Sequence, residues 1–327
     1  DSDTFINPFD VEEEIDPDTK KKMVDLKSKV ADLLNLIAVM VQSMSNEQMS
    51  CVSMVLLDTY KDFGITEDPN SLYEVGSKFD EKTGQLVYKQ KKAMPTLSDF
   101  RANLNKYMNM STMYKTLLSP IYNTLAMYCK GGVYTMFDHQ TTSNLENLFE
   151  APIINFDVSN LEENVLRPIG MYICMTWTWE KFIKKNPKIK KRIVCDEAWM
   201  LMNKNMKGHE FTAQFLENCA RRIRKRNGGL LVASQNFVEF ANNDQGKSVL
   251  TNTICNILLG QSTTDIDMVQ DTFKLSDGER DFLLTAKRGE MLLKIGKESS
   301  IVLAYPFQYE YNLLARQKSK KDNFNDQ

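Results

Sequence analysis

The chain has 327 residues, 42% of them hydrophobic and 26% charged, with a formal net charge of −2. That length can bury a large core and fits two domains, or one domain carrying a big insertion. The near-neutral balance gives no support for a broadly nucleic-acid-binding surface and leaves only local patches for that role.

Thr4-Phe5-Ile6-Asn7-Pro8-Phe9 reads as a short strand ended by Pro8, with the acids Asp10, Glu12, Glu13, Glu14 and Asp16 behind it. From about Lys20 the apolar period becomes helical, with Val30, Leu33, Leu34, Ile37 and Val41 on one face. Asn46-Glu47-Gln48 opens a second helix carrying Cys51, Val55, Leu56 and Tyr60, broken by Gly64, Pro69 and Asn70. A hairpin is expected at Leu86-Val87-Tyr88. Pro95-Thr96-Leu97-Ser98-Asp99 reads as a cap for a helix over Phe100–Met108, and another helix is expected over Ser119–Tyr128, stopped at Lys130-Gly131-Gly132.

Beyond Ala151 strands and helices alternate. Strands are expected at Pro152–Val158, Ile193–Cys195, Gly229–Ser234 and Ile254–Leu259, with helices over Glu162–Lys185 and Phe211–Lys225. Such spacing implies right-handed crossovers and a mostly parallel sheet. Glu290–Ile295 and Ser300–Tyr305, joined through Gly296-Lys297-Glu298, read as an edge hairpin. The polar tail after Leu314 reads as disordered.

Six scattered cysteines show no CxxC or similar spacing, which points to a reducing compartment without disulfides or a zinc site. With only His139 and His209, a histidine-rich metal site is excluded, and both read as ordinary surface or loop residues. No apolar run reaches the ~18–20 residues that span a bilayer, and no signal peptide is recognisable. The chain opens on Asp1 without an initiator Met and reads as part of something longer.

Three constellations carry chemistry. In Ile193-Val194-Cys195-Asp196-Glu197 an apolar strand delivers adjacent acids to its carboxyl end. In nucleotide hydrolases the first such acid holds Mg²⁺ through its water shell and the second orients or deprotonates the attacking water. The plainer alternative is a pair of acids capping the next helix. Gln235, at the end of the following strand, has the type and place of a γ-phosphate or water sensor, against the alternative of an amide capping its loop. Between them, Arg221-Arg222-Ile223-Arg224-Lys225-Arg226 ends a helix, where cations oppose the dipole. Five cations in six residues exceed that need, and an arginine finger supplied in trans is favoured over a phosphate contact to nucleic acid. Lys287-Arg288-Gly289 presents a further, weaker arginine. Gln245-Gly246-Lys247-Ser248 is rejected as a phosphate loop, because Ala241 stands where the motif needs Gly and the preceding strand ends too far away.

The ordered set Ile6-Asn7-Pro8-Phe9-Asp10, Pro95-Thr96-Leu97, Asn155-Phe156-Asp157-Val158, Val194-Cys195-Asp196-Glu197-Ala198-Trp199, Arg224-Lys225-Arg226-Asn227-Gly228-Gly229, Ala233-Ser234-Gln235 and Arg288-Gly289-Glu290 resembles the C-terminal motor domain of the conjugative-transfer ATPases of type IV secretion systems. The likeness covers nearly the whole chain. It implies an α/β fold: a RecA-like P-loop NTPase core with a mostly parallel sheet and an inserted all-α subdomain. The implied layout is a first core strand in 1–16, a helical insertion over 17–150, the rest of the core over 151–316 and a polar tail over 317–327. It also implies ATP and Mg²⁺, a homohexamer with ATP between subunits, and a place at the cytoplasmic face of the inner membrane beside secretion-channel and coupling-protein components, with DNA as a further partner.

By position, Asp196 matches the family's Mg²⁺ acid and Glu197 its water-activating acid, while Gln235 matches the sensor. Arg221, Arg224 and Lys225 fall in its arginine motif, and Arg288 in its last basic motif. Two other readings stand beside the secretion motor: a DNA-pumping coupling ATPase, and a docking or nucleic-acid-binding module. The family's phosphate loop is expected upstream of Ile6, on a strand and helix that these residues do not include. The chain by itself is therefore expected to bind ATP poorly and to be inactive.

Overall fold

The computed structural model describes residues 4–15, 19–74, 78–80, 85–87, 90–142, 151–163, 165–184, 188–205 and 209–313. The chain divides into two compact units, Asp1–Gln235 and Asn236–Gln327. The Tyr88 end of the expected hairpin, the Lys185 end of the expected helix and the 317–327 tail lie outside the described residues.

In the first unit, β1 (Glu14–Ile15) and β2 (Lys22–Met23) form a short antiparallel hairpin, so the helix expected from Lys20 begins later. That helix, α1 (Leu26–Val41), is capped by Asp25, whose side chain accepts a 3.0 Å bond from the Ser28 amide. α2 (Asn46–Asp62) starts at a capping box in which Ser45 and Gln48 satisfy each other's backbone N–H groups. β3 (Lys78–Asp80) and β4 (Gln85–Val87) are the expected hairpin.

α3 (Leu97–Met108) is capped by Thr96 and Asp99. α4 (Thr112–Leu125) begins at its cap Ser111, well before the start that Pro120 invites from sequence, and carries that proline inside. α1 packs against α2 and α4 and also against α5 (Leu166–Thr178) and α6 (His209–Arg222). This explains why Ala38, Val39 and Met40 are buried along with Val30, Leu33 and Ile37. Sequence periodicity predicts one apolar stripe; burial from both sides widens it.

Two expected strands are not strands. Residues 4–7 form no strand; Phe5 N–H donates to the Thr142 hydroxyl and Asn7 N–H to the Thr141 hydroxyl, both at 2.8 Å. The Asn7 side chain donates to the Pro95 carbonyl at 2.9 Å, and the Tyr60 hydroxyl donates to the Phe9 carbonyl at 2.7 Å. Hydroxyl and amide side chains thus take the place of a ladder. Residues 153–158 keep a period-two alternation of exposure, but 151–158 have no partner strand among the described residues, and Pro152 offers no donor to one.

Behind the 4–12 segment lies a buried ionic cluster. Glu12 accepts from both Lys91 and Lys181, and Lys181 stands 3.7 Å from Asp10. Lys181 belongs to a π-helical stretch, Trp179–Lys184, that extends α5. Burial alone would raise the Glu12 carboxyl, but the charges of Lys181 and Lys91 outweigh it and hold the group down to about 2.

β5 (Lys191–Cys195) and β6 (Gly228–Val232) pair in parallel, from Lys191 opposite Gly228 to Cys195 opposite Val232. α6 makes the crossover between them and ends in a 3₁₀ turn, Ile223–Arg226, closed by Asn227 in the left-handed region (φ 55°). Ile193 and Cys195 are buried on one face of the pair, whereas Val194 and Leu231 are exposed.

In the second unit, α7 (Phe237–Ala241) and α8 (Asp244–Asn252) lead into β7 (Cys255–Leu258). α9 (Ile266–Phe273) and α10 (Asp277–Thr285) follow, then β8 (Glu290–Ile295) and β9 (Glu298–Leu303). β7 pairs antiparallel with β8 rather than joining a parallel array, because the two-helix connection returns the chain running the other way. The β8–β9 hairpin appears as expected, with its second strand starting earlier at Glu298. Gly296 takes φ 61° in its tight turn, where a side chain would be strained. Leu258, Ile266, Val269, Leu275, Leu283 and Leu292 form the core of this unit.

Glu12→Gln should destabilise the first unit by about 3–5 kcal/mol, because two buried ammonium groups lose their shared carboxylate. The sign of the pH dependence follows from a folded-state pKa of about 2 against an ordinary 4.5. The Glu12 contribution is complete above the ordinary value and is lost as pH falls from there toward 2. Thermal melts of wild type and variant should therefore differ widely at neutral pH and converge in strong acid.

Candidate active site

The parallel ladder continues beyond the strands. Ala233 N–H donates to the Cys195 carbonyl at 2.9 Å, and Ala198 N–H donates to the Ala233 carbonyl at 3.0 Å. These bonds hold the segment after β5 beside the segment after β6, and so bring Asp196, Glu197 and Gln235 together. The Gln235 amide donates to Oε1 of Glu197. The Glu197 amide donates to Oδ1 of Asp196 at 3.0 Å. Asp196 and Gln235 are exposed and Glu197 is half-buried, so all three are open to a ligand.

Glu197 has φ 49° and ψ 37°, a left-handed backbone that costs a non-glycine residue on the order of 1–2 kcal/mol. The sharp turn starts a 3₁₀ helix, Ala198–Met202, whose first bond runs from Met200 N–H to the Glu197 carbonyl at 3.0 Å. Trp199, at its second position, donates its indole N–H to Oε2 of Glu197 at 2.7 Å. Both oxygens of Glu197 are therefore held. The sequence singled out Glu197 and Gln235 but not Trp199, whose only sequence signal is its spacing two residues beyond the acid. Next to the acids, burial first and the Asp196 charge second push the Cys195 thiol up to about 12. It remains protonated, packed 3.8 Å from the Met175 sulfur, and is no nucleophile.

The basic residues stand elsewhere. Arg224 and Lys225 are exposed in the turn that feeds the amino end of β6, the opposite end of the ladder from Glu197. Strands of this length put roughly 15 Å between the two ends. Arg221 reaches back to Glu217 at 2.6 Å, one turn earlier on α6. Lys188, Lys190 and Arg192 are exposed near the amino end of β5. Cations crowd there: burial first and the Arg226 charge second lower the Lys191 ammonium. Arg288 belongs to the second unit, exposed in the turn before β8.

Gln245-Gly246-Lys247-Ser248 lies inside α8, with Asn243 as its cap. A Cβ on Gly246 would lie 2.2 Å from the Phe240 carbonyl oxygen, so this glycine lets α7 and α8 pack and cradles no phosphate.

Asp196 and Glu197 suit a Mg²⁺ ion held largely by water and by nucleotide phosphates, because Mg²⁺ takes one or two carboxylates in such sites. The chain offers no all-protein cage: among the described residues no group of three or more His, Cys, Asp or Glu could hold a metal. No helix among them is long and apolar enough to cross a membrane.

Parallel strands joined by a helical crossover, with two acids and an amide at their carboxyl ends, make an α/β arrangement. The TraG P-loop domain family model matches residues 93–313, and the chain belongs to that family of conjugative-transfer and type IV secretion ATPases. Among solved structures, VirB4 of Thermoanaerobacter pseudethanolicus is similar with a TM-score of 0.73 at 24% identity, over 94% of this chain and 75% of that one. The plasmid coupling protein TrwB, in complex with the non-hydrolysable ATP analogue ADPNP, gives a TM-score of 0.50 at 12% identity, over 85% of this chain and 69% of the other. The fold is thus the RecA-like α/β fold. No curated protein matches the sequence.

Proposed function

We propose that this chain carries the hydrolytic half of an ATP site in a type IV secretion or conjugation motor. The observation that supports it best is the meeting of Asp196, Glu197 and Gln235 at one end of the β5–β6 ladder. Bound Mg²⁺ would neutralise phosphate charge and fix the nucleotide there. Asp196 holds the ion's water shell, Glu197 accepts the proton of the attacking water, and Gln235 orients that water or senses the γ-phosphate. TrwB, which has the same fold, is known with an ATP analogue bound.

Arg224 and Lys225 lie too far from the acids of their own subunit to serve them. They act in trans on a neighbouring copy, with Arg221 steering from α6. This reading entails self-association, in the hexamer expected of the family, with channel and coupling-protein components as partners at the inner membrane. Gly246-Lys247-Ser248 is helical and takes no part in this reading.

Glu197→Gln in the full-length protein should abolish ATP turnover while leaving nucleotide affinity within a few-fold of wild type. Retained turnover in that variant removes the role given to Glu197.

The cation-rich amino end of β5 and β6 favours a second reading, in which this surface holds nucleic-acid phosphates. Titration of single-stranded DNA at several salt concentrations separates the two. A slope of log affinity on log salt near zero rejects the nucleic-acid reading. A steep negative slope that Arg224→Ala and Lys225→Ala flatten supports it.

A further inference from the structure

Trp199 has no part in the division of labour derived so far, yet it makes the best-formed bond to the proposed base. Its indole N–H meets Oε2 of Glu197 at 2.7 Å, and the Gln235 amide meets Oε1. The two donors differ in mobility. Trp199 is half-buried at the second position of a short 3₁₀ helix whose neighbours Ala198, Met200, Leu201 and Met202 are all buried. Gln235 is exposed on a loop just past the end of β6. An indole N–H can only donate and cannot rotate out of its ring plane, whereas an exposed glutamine amide swings freely and can offer either its donor or its acceptor.

The backbone of Glu197 adds a further constraint. With φ 49° the residue sits in a conformation that non-glycine residues leave readily unless their surroundings hold it. The 3₁₀ turn holds the Glu197 backbone through its carbonyl, and the indole holds the carboxylate.

We propose that Trp199 is a positioning residue for hydrolysis: it pins Oε2 of Glu197 so that Oε1 alone is exchanged from Gln235 to the attacking water. In the structure the Gln235 amide holds Oε1. When a nucleotide arrives, the amide turns away and a water takes its place. One O–H bond of that water breaks and its proton passes to Oε1. The water oxygen bonds to the γ-phosphorus, and the bond from that phosphorus to the bridging oxygen breaks, its electron pair leaving with the nucleoside diphosphate. Without the indole the carboxylate can rotate, and the base is misplaced in a fraction of encounters. A misplacement of about 1 Å in such a base costs up to about a hundredfold in rate.

This inference rests on the hydrolytic reading of Glu197, and two measurements keep their fates apart. The first needs no activity. The chain has three tryptophans, so an indole ¹H–¹⁵N spectrum gives three signals, and loss of one in Trp199→Phe assigns it. Glu197→Ala should move that signal upfield and leave the other two in place. An unmoved signal overturns the proposal.

The second measurement is steady-state hydrolysis by the full-length protein. Trp199→Phe keeps the ring and loses the N–H, and should lower kcat by tenfold to a hundredfold with KM and melting temperature unchanged. A wild-type kcat overturns the positioning role, as does a fall in kcat that only tracks a lower melting temperature. If Glu197→Gln remains active, the hydrolytic reading itself fails. If Glu197→Gln is inactive and Trp199→Phe is wild-type, only the role of Trp199 fails.

Discussion

The parallel ladder between β5 and β6 is the constraint on which the site depends. Parallel register places the ends of both strands together, so whatever follows Cys195 must meet whatever follows Val232. Two further backbone bonds, through Ala198 and Ala233, carry the pairing past the strands and leave Glu197 and Gln235 in contact. The same register fixes the opposite pole. Lys190, Lys191 and Arg192 enter β5 where Arg224, Lys225 and Arg226 enter β6, and like charges gather there, burial first and the Arg226 charge second lowering the Lys191 ammonium. One short ladder thus separates acids from cations, and in the proposed assembly that polarity finds its complement in a second copy.

The other motif residues have a different task. Asn7, Phe9 and Pro95, prominent in the sequence, are drawn with Thr141 into one junction by the bonds Asn7 to Pro95, Asn7 to Thr141 and Tyr60 to Phe9. Thr141 also donates to Asp10 at 2.7 Å, and Glu12 then ties this junction to Lys91 and to Lys181 on the π-helical end of α5. These residues tie the first segment to Lys91 and to the π-helical end of α5 through buried paired charges. Such seams tolerate loss of one partner poorly, a structural task separate from that of the site acids.

Much of this was legible in the sequence because it depends on local rules. Helical periodicity located α1, α2 and α6, and the Thr96–Asp99 cap follows directly from residue type and spacing. The acids of the site were legible because an apolar run must end where its carboxylates can reach solvent. What failed depended on partners distant in sequence. The 4–9 and 152–158 segments have strand-like patterns, but a pattern cannot supply the neighbouring strand that makes a ladder. The antiparallel pairing of β7 with β8 rests on how α9 and α10 turn the chain. Trp199 was invisible for a similar reason. Its role follows from the left-handed backbone of Glu197, which no propensity predicts for a glutamate.

The central claim is that the acids of one subunit work with the cations of another. Its most direct test mixes two inactive full-length variants, Glu197→Gln and Arg224→Ala, and follows ATP hydrolysis. Shared sites predict that the mixture regains activity well above the sum of its parts, because some interfaces then pair an intact acid set with an intact arginine. If wild-type mixing shows that subunits exchange and the two variants together still hydrolyse no more than they do apart, the acids and the cations do not serve one site.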